Sequence, residues 1–297
     1  MTISTNLWYN RSTAAMQNLS AKTDALSTQI STGKKLQQPS DDPVAYSRLQ
    51  GLATVGADAT AYGKNLDTAA STLASADTTL TSIGAQITRA QQLAVQANNG
   101  TLSDVDRAAI GQELSGIVES LTGLANTQDS RGLPLFGDSA GTPAVTKADD
   151  GSYTFATGSV SAIPIGQGQT VEASAAAGRV FQFNDTNTLQ VITDLATALQ
   201  AGGDLGDAGD KAIANLQTAA DQVNTVQASI GARASRVELE QTAQTSAAAQ
   251  REVDRSGMED TDITAAITEL QKTMTILSAT QASFTKLQSL SLFDYLK

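Results

Sequence analysis

Apolar residues recur in alternating steps of three and four near both ends of the chain. Near the C-terminus the line runs through Gln281 and comprises Ile263, Ile267, Leu270, Met274, Leu277 and Phe284. Near the N-terminus the line comprises Met16, Leu19, Leu26 and Ile30, with Thr23 and Gly33 in its other places. Such spacing is typical of a narrow apolar stripe on a helix that packs against another helix. We therefore predict that the terminal segments are helices that pair antiparallel, because the chain runs out and returns.

The remaining faces of these terminal segments carry little charge. Only Arg11, Lys22 and Asp24 are charged in the first thirty residues. A solvated helix normally carries many charges on its outer face. An ordinary core within one chain would explain the apolar stripes, but it would not explain the missing charge. The pattern indicates helices that neighbouring subunits cover on several sides.

Two further helices follow from the pattern between residues 66 and 124. Apolar residues keep strict three-four spacing over residues 66–97, and Asn98-Asn99-Gly100 is a favourable helix stop. Ser103 is the predicted cap of the next helix, with Asp106 completing a weak capping box, and a second stripe spans residues 110–124. Because the link is short, we expect the two helices to form an antiparallel hairpin.

The composition changes over residues 132–184, which are rich in Gly, Pro, Asp and Thr. Short β-like runs cover residues 152–156, 162–165, 170–172 and 179–183. The sequence Asp149-Asp150-Gly151 predicts a hairpin turn. Helical spacing resumes over residues 189–199 and again over 213–237.

The predicted fold is mainly α: a long antiparallel helical bundle or coiled coil built from both chain ends, with a small β-rich domain inserted in the middle. We divide it into a terminal axial helical domain (1–45 and 255–297), a helical rod domain (46–131 and 185–254) and an outer β-rich domain (132–184). We expect the insertion at the far tip of the rod, facing outwards and dispensable for export, because exposed tips tolerate insertions.

Composition excludes several kinds of chemistry. The chain of 297 residues has 19 basic and 30 acidic residues, which argues against nucleic acid as a partner. It contains no Cys and no His, so it has no thiol chemistry, and both the commonest general base and the commonest transition-metal ligand are absent. No segment is apolar enough to predict a membrane span, and the N-terminus does not resemble a cleaved secretory signal.

Few residues suggest a site, and we predict no catalytic, cofactor-binding or metal-binding residue. Asp204, Asp207 and Asp210 are spaced three apart, but a solvated linker with helix-capping carboxylates explains them better than calcium does. For Asp41 and Asp42 we expect a helix N-cap or a salt bridge. The predicted functional surface is the assembly interface formed by the two apolar lines.

Several motifs resemble the bacterial flagellin superfamily. Residues 30–36 (ISTGKKL) are followed by the segment that contains Gly33, Pro39, Ser40, Asp41, Asp42 and Pro43, and together they look like the N-terminal segment of that superfamily. The motif PSDDPV resembles the hook-associated junction proteins of this superfamily more than it resembles flagellins, which tend to have Ala where Pro43 stands. Residues 1–5, 93–101 and 133–137 also resemble the superfamily, and residues 290–296 resemble the ending of the junction proteins.

The resemblance implies a structural subunit of the bacterial flagellum without catalysis or cofactor. The implied partners are other copies in a ring, a neighbouring hook-associated protein, flagellin, and the export machinery with its chaperone. The implied location is extracellular, after export without a cleaved signal. A flagellin filament subunit is the alternative. A hydrolase or ligand-binding protein active in the β insertion is disfavoured, because a pocket with convergent polar groups needs more than that segment offers.

Overall fold

The computed structural model of the chain describes residues 2–129, 131–137, 142–158, 160–202 and 205–294. The helices in these residues are α1 (Thr2–Thr32), α2 (Pro43–Ala97), α3 (Asp104–Ala125), α4 (Ala177–Phe181), α5 (Thr188–Ala201), α6 (Asp207–Glu259) and α7 (Ile263–Asp294). The strands are β1 (Val145–Lys147), β2 (Tyr153–Phe155), β3 (Ala162–Gly166), β4 (Gln169–Glu172), β5 (Gln182–Phe183) and β6 (Thr186–Asn187).

The chain divides into two compact units. The terminal unit comprises residues 1–57 and 247–297, and the body unit comprises residues 58–246. In the terminal unit α1 packs against α7. The predicted fold class is therefore confirmed: the protein is mainly helical, the long terminal helices pack together, and a small strand-rich region interrupts the helices. The division into axial, rod and outer domains stays a prediction.

Local capping explains where the helices of the body unit begin. The amide of Asp106 donates to the Ser103 hydroxyl at 3.3 Å, so Ser103 caps α3 as predicted. Asn187 caps α5 in the same way, through a bond of 2.8 Å from the amide of Gln190. The stripe of α2 is buried from Leu66 to Ala97, but this helix begins at Pro43, well before its apolar pattern. Proline fits the first turn of a helix, where its missing N–H costs nothing.

The strands form three antiparallel two-stranded hairpins, β1 with β2, β3 with β4 and β5 with β6. The predicted turn at residues 149–151 joins β1 to β2, and Gly151 has the positive φ of 84° that it needs. The strand predicted over residues 179–183 is wrong in part, because residues 177–181 form α4. Ala177, Val180 and Phe181 are all buried, a spacing that suits one helical turn.

The insertion packs along the side of the body helices, so the expected position at the far tip is wrong. The Asn65 amide donates to the carbonyl of Pro164 at 2.8 Å, and Arg233 donates to the carbonyl of Ser174 at 2.6 Å. The turn between α2 and α3 lies instead beside the start of α6, where Asn98 donates to Asp210 at 2.9 Å. Phe136 and Phe181 of the insertion are fully buried in one core with the body helices.

Candidate assembly surface of the terminal helices

The two terminal helices run antiparallel and contact each other at several places along their length. Near the start of α1, Trp8 stacks on Phe284 with ring centroids 5.7 Å apart, and Tyr9 lies 5.2 Å from the same ring. Further along, the ammonium of Lys22 is 2.6 Å from the carboxylate of Glu269. The partners on α7 therefore come in reverse order, which is the antiparallel pairing predicted from the sequence.

The apolar line of α1 faces inwards but is only half-buried. Met16, Leu19, Leu26 and Ile30 are all partly accessible, and no side chain of α1 is buried among those that the structure describes. Two paired helices each cover one side of the other and leave the remaining sides open. This is the exposure that an unassembled coiled-coil pair would have.

The apolar line of α7 is divided by its contact with α1. Leu270, Leu277 and Phe284 are half-buried, whereas Ile263, Ile267 and Met274 remain 49%, 40% and 51% exposed. Among the α7 side chains that the structure describes, Ala266 and Thr273 are the buried ones, at 7% and 2% exposed. The centre of the contact is therefore shifted around the helix towards small residues, which allow the two helices to approach closely.

We refer to Ile263, Ile267 and Met274 as the open flank of α7. These three residues lie on one side of the helix, because they are four and seven positions apart. Single exposed apolar residues are normal, but an aligned set on one helix is typical of a contact surface. Leu7, Trp8 and Tyr9 of α1 are also exposed, at 61%, 41% and 45%.

The motif between α1 and α2 forms a turn that two carboxylates hold in place. Gly33 ends α1 with a φ of 72°, and the Asp41 amide donates to the Gln38 carbonyl at 3.0 Å across a turn that contains Pro39 and Ser40. The Asp41 carboxylate accepts bonds of 2.9 Å and 3.0 Å from the amides of Gln37 and Gln38. These backbone donors lower the pKa of Asp41 below its ordinary value of 3.8.

Asp42 is the N-cap of α2, as predicted. Its carboxylate accepts bonds of 3.0 Å from the amides of Val44 and Ala45, and Pro43 takes the first helical position. An N-cap satisfies backbone donors that have no partner within the helix. The motif that carried the family resemblance therefore has a structural reason in this chain: it ends one helix and starts the next.

This turn is joined to the link between α6 and α7. The amide of Lys35 donates to the Glu259 carbonyl at 2.7 Å, and the amide of Thr261 donates to the Gly33 carbonyl at 2.9 Å. The Glu259 carboxylate pairs with Lys34 and with Arg255. Lys34 first, and Arg255 after it, hold the pKa of Glu259 below its ordinary value of 4.5. Sequence reasoning did not assign these contacts, because they join residues that are far apart in the chain.

Charge is distributed very unevenly between the two units. The terminal unit contains ten basic and ten acidic residues, so its formal net charge is zero. The body unit contains nine basic and twenty acidic residues, a net charge of −11 that accounts for that of the whole chain. Close packing of several copies through their terminal units would therefore meet no net repulsion from those units.

The described residues include no group of three acidic side chains placed to hold a metal ion. Of the aspartates considered for calcium, Asp204 lies outside the described residues, while Asp207 and Asp210 stand in the first turn of α6. Asp210 accepts its bond from Asn98. Within the described part of the chain, no helix is both long and apolar enough to cross a membrane.

Comparison with known proteins agrees with the geometry. A family model described as the bacterial flagellin N-terminal helical region matches residues 3–141. Flagellar hook-associated protein 3 of Salmonella typhimurium is 28% identical over 99% of this chain and 99% of its own length. The chain is similar to hook-associated protein 3. The resemblance predicted from the sequence is therefore confirmed, over nearly the full length of both proteins.

Solved structures show the same fold. A candidate flagellar hook-associated protein of Vibrio parahaemolyticus matches with a TM-score of 0.69 at 23% identity, covering 74% of this chain and all of that one. A flagellar junction protein of Legionella pneumophila matches with a TM-score of 0.56 at 14% identity, covering 65% of this chain and 99% of that one. Flagellin of Listeria monocytogenes is 25% identical over only 70% of this chain and 76% of its own length. The junction proteins are thus the better match.

Proposed function

We propose that this chain is the structural adaptor subunit that joins the hook side of a bacterial flagellum to the flagellin filament. In this role several copies form a ring, with a neighbouring hook-associated protein on one side and flagellin on the other. The observation that carries the proposal is the open flank of α7 on a pair of terminal helices that are only half-buried. The full-length similarity to hook-associated protein 3 supports it.

The assembly residues divide into two groups under this proposal. Met16, Leu19, Leu26 and Ile30 of α1, together with Leu270, Leu277 and Phe284 of α7, hold the two helices of one chain together. Ile263, Ile267 and Met274 face the neighbouring subunits. Fully burying an aliphatic side chain contributes about 1.5–3 kcal/mol. The contribution recurs in every copy of a ring, so a few residues are enough to drive assembly.

The turn that contains Gly33, Pro39, Ser40, Asp41, Asp42 and Pro43 is proposed to orient the terminal pair during assembly. Its contacts with Glu259 and Thr261 support this role, because they fix the end of α1 to the start of α7. No catalysis, cofactor or metal is required. The acidic net charge of the chain argues against nucleic acid as a partner.

Location and export follow from the same proposal. The subunit acts outside the cell as a component of the flagellum. It reaches that place through the flagellar export machinery, escorted by a chaperone, and without a cleaved signal peptide. The similarity to hook-associated protein 3 over nearly the full length of the chain supports this location.

The position of the protein in intact flagella separates the proposal from the flagellin alternative. Antibody against the body unit, bound to gold, should label a single narrow band at the boundary between hook and filament. A strain without the protein should release flagellin into the medium, and expression of the chain should restore filaments. Labelling along the whole filament would instead identify a flagellin and would overturn the adaptor role.

A further inference from the structure

The turn between α2 and α3 brings together two residues with a specific reactivity. Asn99 and Gly100 are both exposed in this turn of the body unit. Asn99 is the one asparagine in the sequence that a glycine follows. A glycine in this position leaves the backbone nitrogen unhindered, since it has no β-carbon to block the approach to the preceding side chain.

The side chain of Asn99 is folded back over the chain that follows it. Its Oδ1 accepts a bond of 3.2 Å from the backbone amide of Thr101 and one of 3.0 Å from the Thr101 hydroxyl. This arrangement is an Asx turn, which holds the carboxamide beside the intervening Gly100. The carbonyl of Asn99 also accepts a bond of 3.2 Å from the amide of Leu102, so the backbone of the turn is fixed.

We propose that Asn99 is a self-modification site, at which the chain loses ammonia through attack by the Gly100 amide. Hydroxide removes the proton of the Gly100 nitrogen, which then forms a bond with Asn99 Cγ. The electron pair of the side-chain carbonyl moves onto Oδ1. When this pair returns, the bond between Cγ and Nδ2 breaks and the nitrogen leaves as ammonia with a proton from water.

The product of this step is a five-membered succinimide ring. Water then adds to either ring carbonyl and opens one of the two C–N bonds of the ring. The result is aspartate or its isomer isoaspartate. The sequence consumes one water, releases one ammonia and needs no oxidant or reductant.

Thr101 has a defined part in this reaction. Negative charge develops on Asn99 Oδ1 as the new bond forms, and donors already aimed at that oxygen stabilise the charge without reorganising. Thr101 supplies two such donors, its amide and its hydroxyl. Among the described residues no hydrogen bond engages the Gly100 amide, so the attacking nitrogen is free.

Asn126 provides the contrast within the same unit. Its Oδ1 accepts from the Val145 amide at 2.9 Å, and its Nδ2 donates to the Val145 carbonyl at 2.9 Å. The residue that follows is the β-branched Thr127. With both ends of the carboxamide bonded to the next segment, Asn126 cannot reach its neighbouring backbone nitrogen.

Modification would change the turn in two ways. Aspartate adds a negative charge just beyond the C-terminus of α2, where the helix dipole is also negative. Isoaspartate lengthens the main chain by one carbon and breaks the geometry of the Asx turn. Both changes lie close to Asn98, whose bond to Asp210 ties the turn to α6.

The test uses the full chain, incubated at neutral and mildly alkaline pH and sampled over time. Peptide mapping by mass spectrometry measures the replacement of NH2 by OH, and an isoaspartyl methyltransferase labels the isomer. We expect Asn99 to be modified first, faster at higher pH, while Asn126 stays intact. Unchanged Asn99 over a period in which a free peptide of residues 96–103 reacts would overturn the proposal.

Two variants test the mechanism. An added β-carbon at Gly100 meets no atom within 4 Å, so Gly100→Ala should fold normally, which circular dichroism checks. We expect the Gly100→Ala chain to lose ammonia at about one-tenth of the rate of the unchanged chain or more slowly still. A tenfold change corresponds to roughly 1.4 kcal/mol of activation free energy. The rate for Thr101→Val should lie between the rates of Gly100→Ala and the unchanged chain. Equal rates for Gly100→Ala and the unchanged chain would contradict the proposed attack, whatever the outcome for the adaptor role.

Discussion

At the scale of single residues, Glu259 connects the turn between α1 and α2 to the link between α6 and α7. Its carboxylate pairs with Lys34 and Arg255, while its carbonyl accepts from Lys35. The pKa of Glu259 is lowered in the folded chain. A lowered carboxylate pKa means that the ionised form favours folding above the ordinary value of 4.5, and that this contribution disappears as pH falls through the lowered pKa.

The first prediction therefore concerns Glu259→Gln. The variant should lose at most about 1 kcal/mol of stability of the terminal pair at neutral pH, because ion pairs near the surface contribute little. The difference from the unchanged chain should vanish as pH falls well below 4.5. Trp8, the single tryptophan, stacks on Phe284, so its fluorescence during urea unfolding measures the pairing directly.

Glu238→Gln is the matched control, since Glu238 makes no ion pair within the described chain. It should leave the pH dependence of the Trp8 signal unchanged. A Glu259→Gln chain with the same pH dependence as the unchanged chain would show that this carboxylate does not hold the connection.

At the scale of elements, the terminal pair is weaker than the body. No described side chain of α1 is buried, whereas the stripe of α2 is buried over eight turns. Isolated helices gain little stability without a packed face. We predict that in dilute monomer the Trp8 signal unfolds at a lower urea concentration than the helical circular dichroism, and that protease trims residues 1–40 and 260–297 first. Coincident transitions and resistant ends would contradict this.

The insertion shares the core of the body unit, and its being dispensable for export stays a prediction. Phe181 of α4 is fully buried. Its ring stacks on that of Phe155 of β2, with the ring centroids 5.9 Å apart. Phe181→Ala should cost about 3–5 kcal/mol of unfolding free energy, measured by urea denaturation. Val105→Ala, at a residue 79% exposed, should change it by less than about 0.5 kcal/mol. A small effect of Phe181→Ala would show that this side chain does not hold the insertion in the core of the body.

The sequence predicted the helices better than it predicted the contacts between elements. The stripes that became α2, α3 and α5 are regular apolar patterns, and periodicity is a local property that a sequence displays directly. The centre of the contact face of α7 was missed, because Ala266 and Thr273 are buried for their small size and not for their hydrophobicity. The side-on position of the insertion was also missed, since it depends on bonds such as that from Asn65 to Pro164, which join distant residues.

At the scale of the whole molecule, the open flank should control assembly without controlling folding. Met274→Asp changes a side chain that is 51% exposed, so the monomer should keep its circular dichroism. In a ring the carboxylate would be buried without a partner, which is costly. We expect secreted protein, few filaments and flagellin in the medium. Leu239→Asp, at a site 71% exposed in the body unit, is the matched control and should support normal swimming.

The uneven distribution of charge makes any assembly of this chain a polyelectrolyte. Each added copy contributes a net charge of −11 through its body unit and a net charge of zero through its terminal unit. Mobile cations must gather around the body units. At physiological ionic strength the repulsion between neighbouring body units is therefore screened beyond about 8 Å. The apolar contacts of the terminal helices do not weaken with this screening, and strongly hydrated salts reinforce them. The stability of the assembly should therefore depend on the salinity of the surrounding medium, because of the different compositions of the two units.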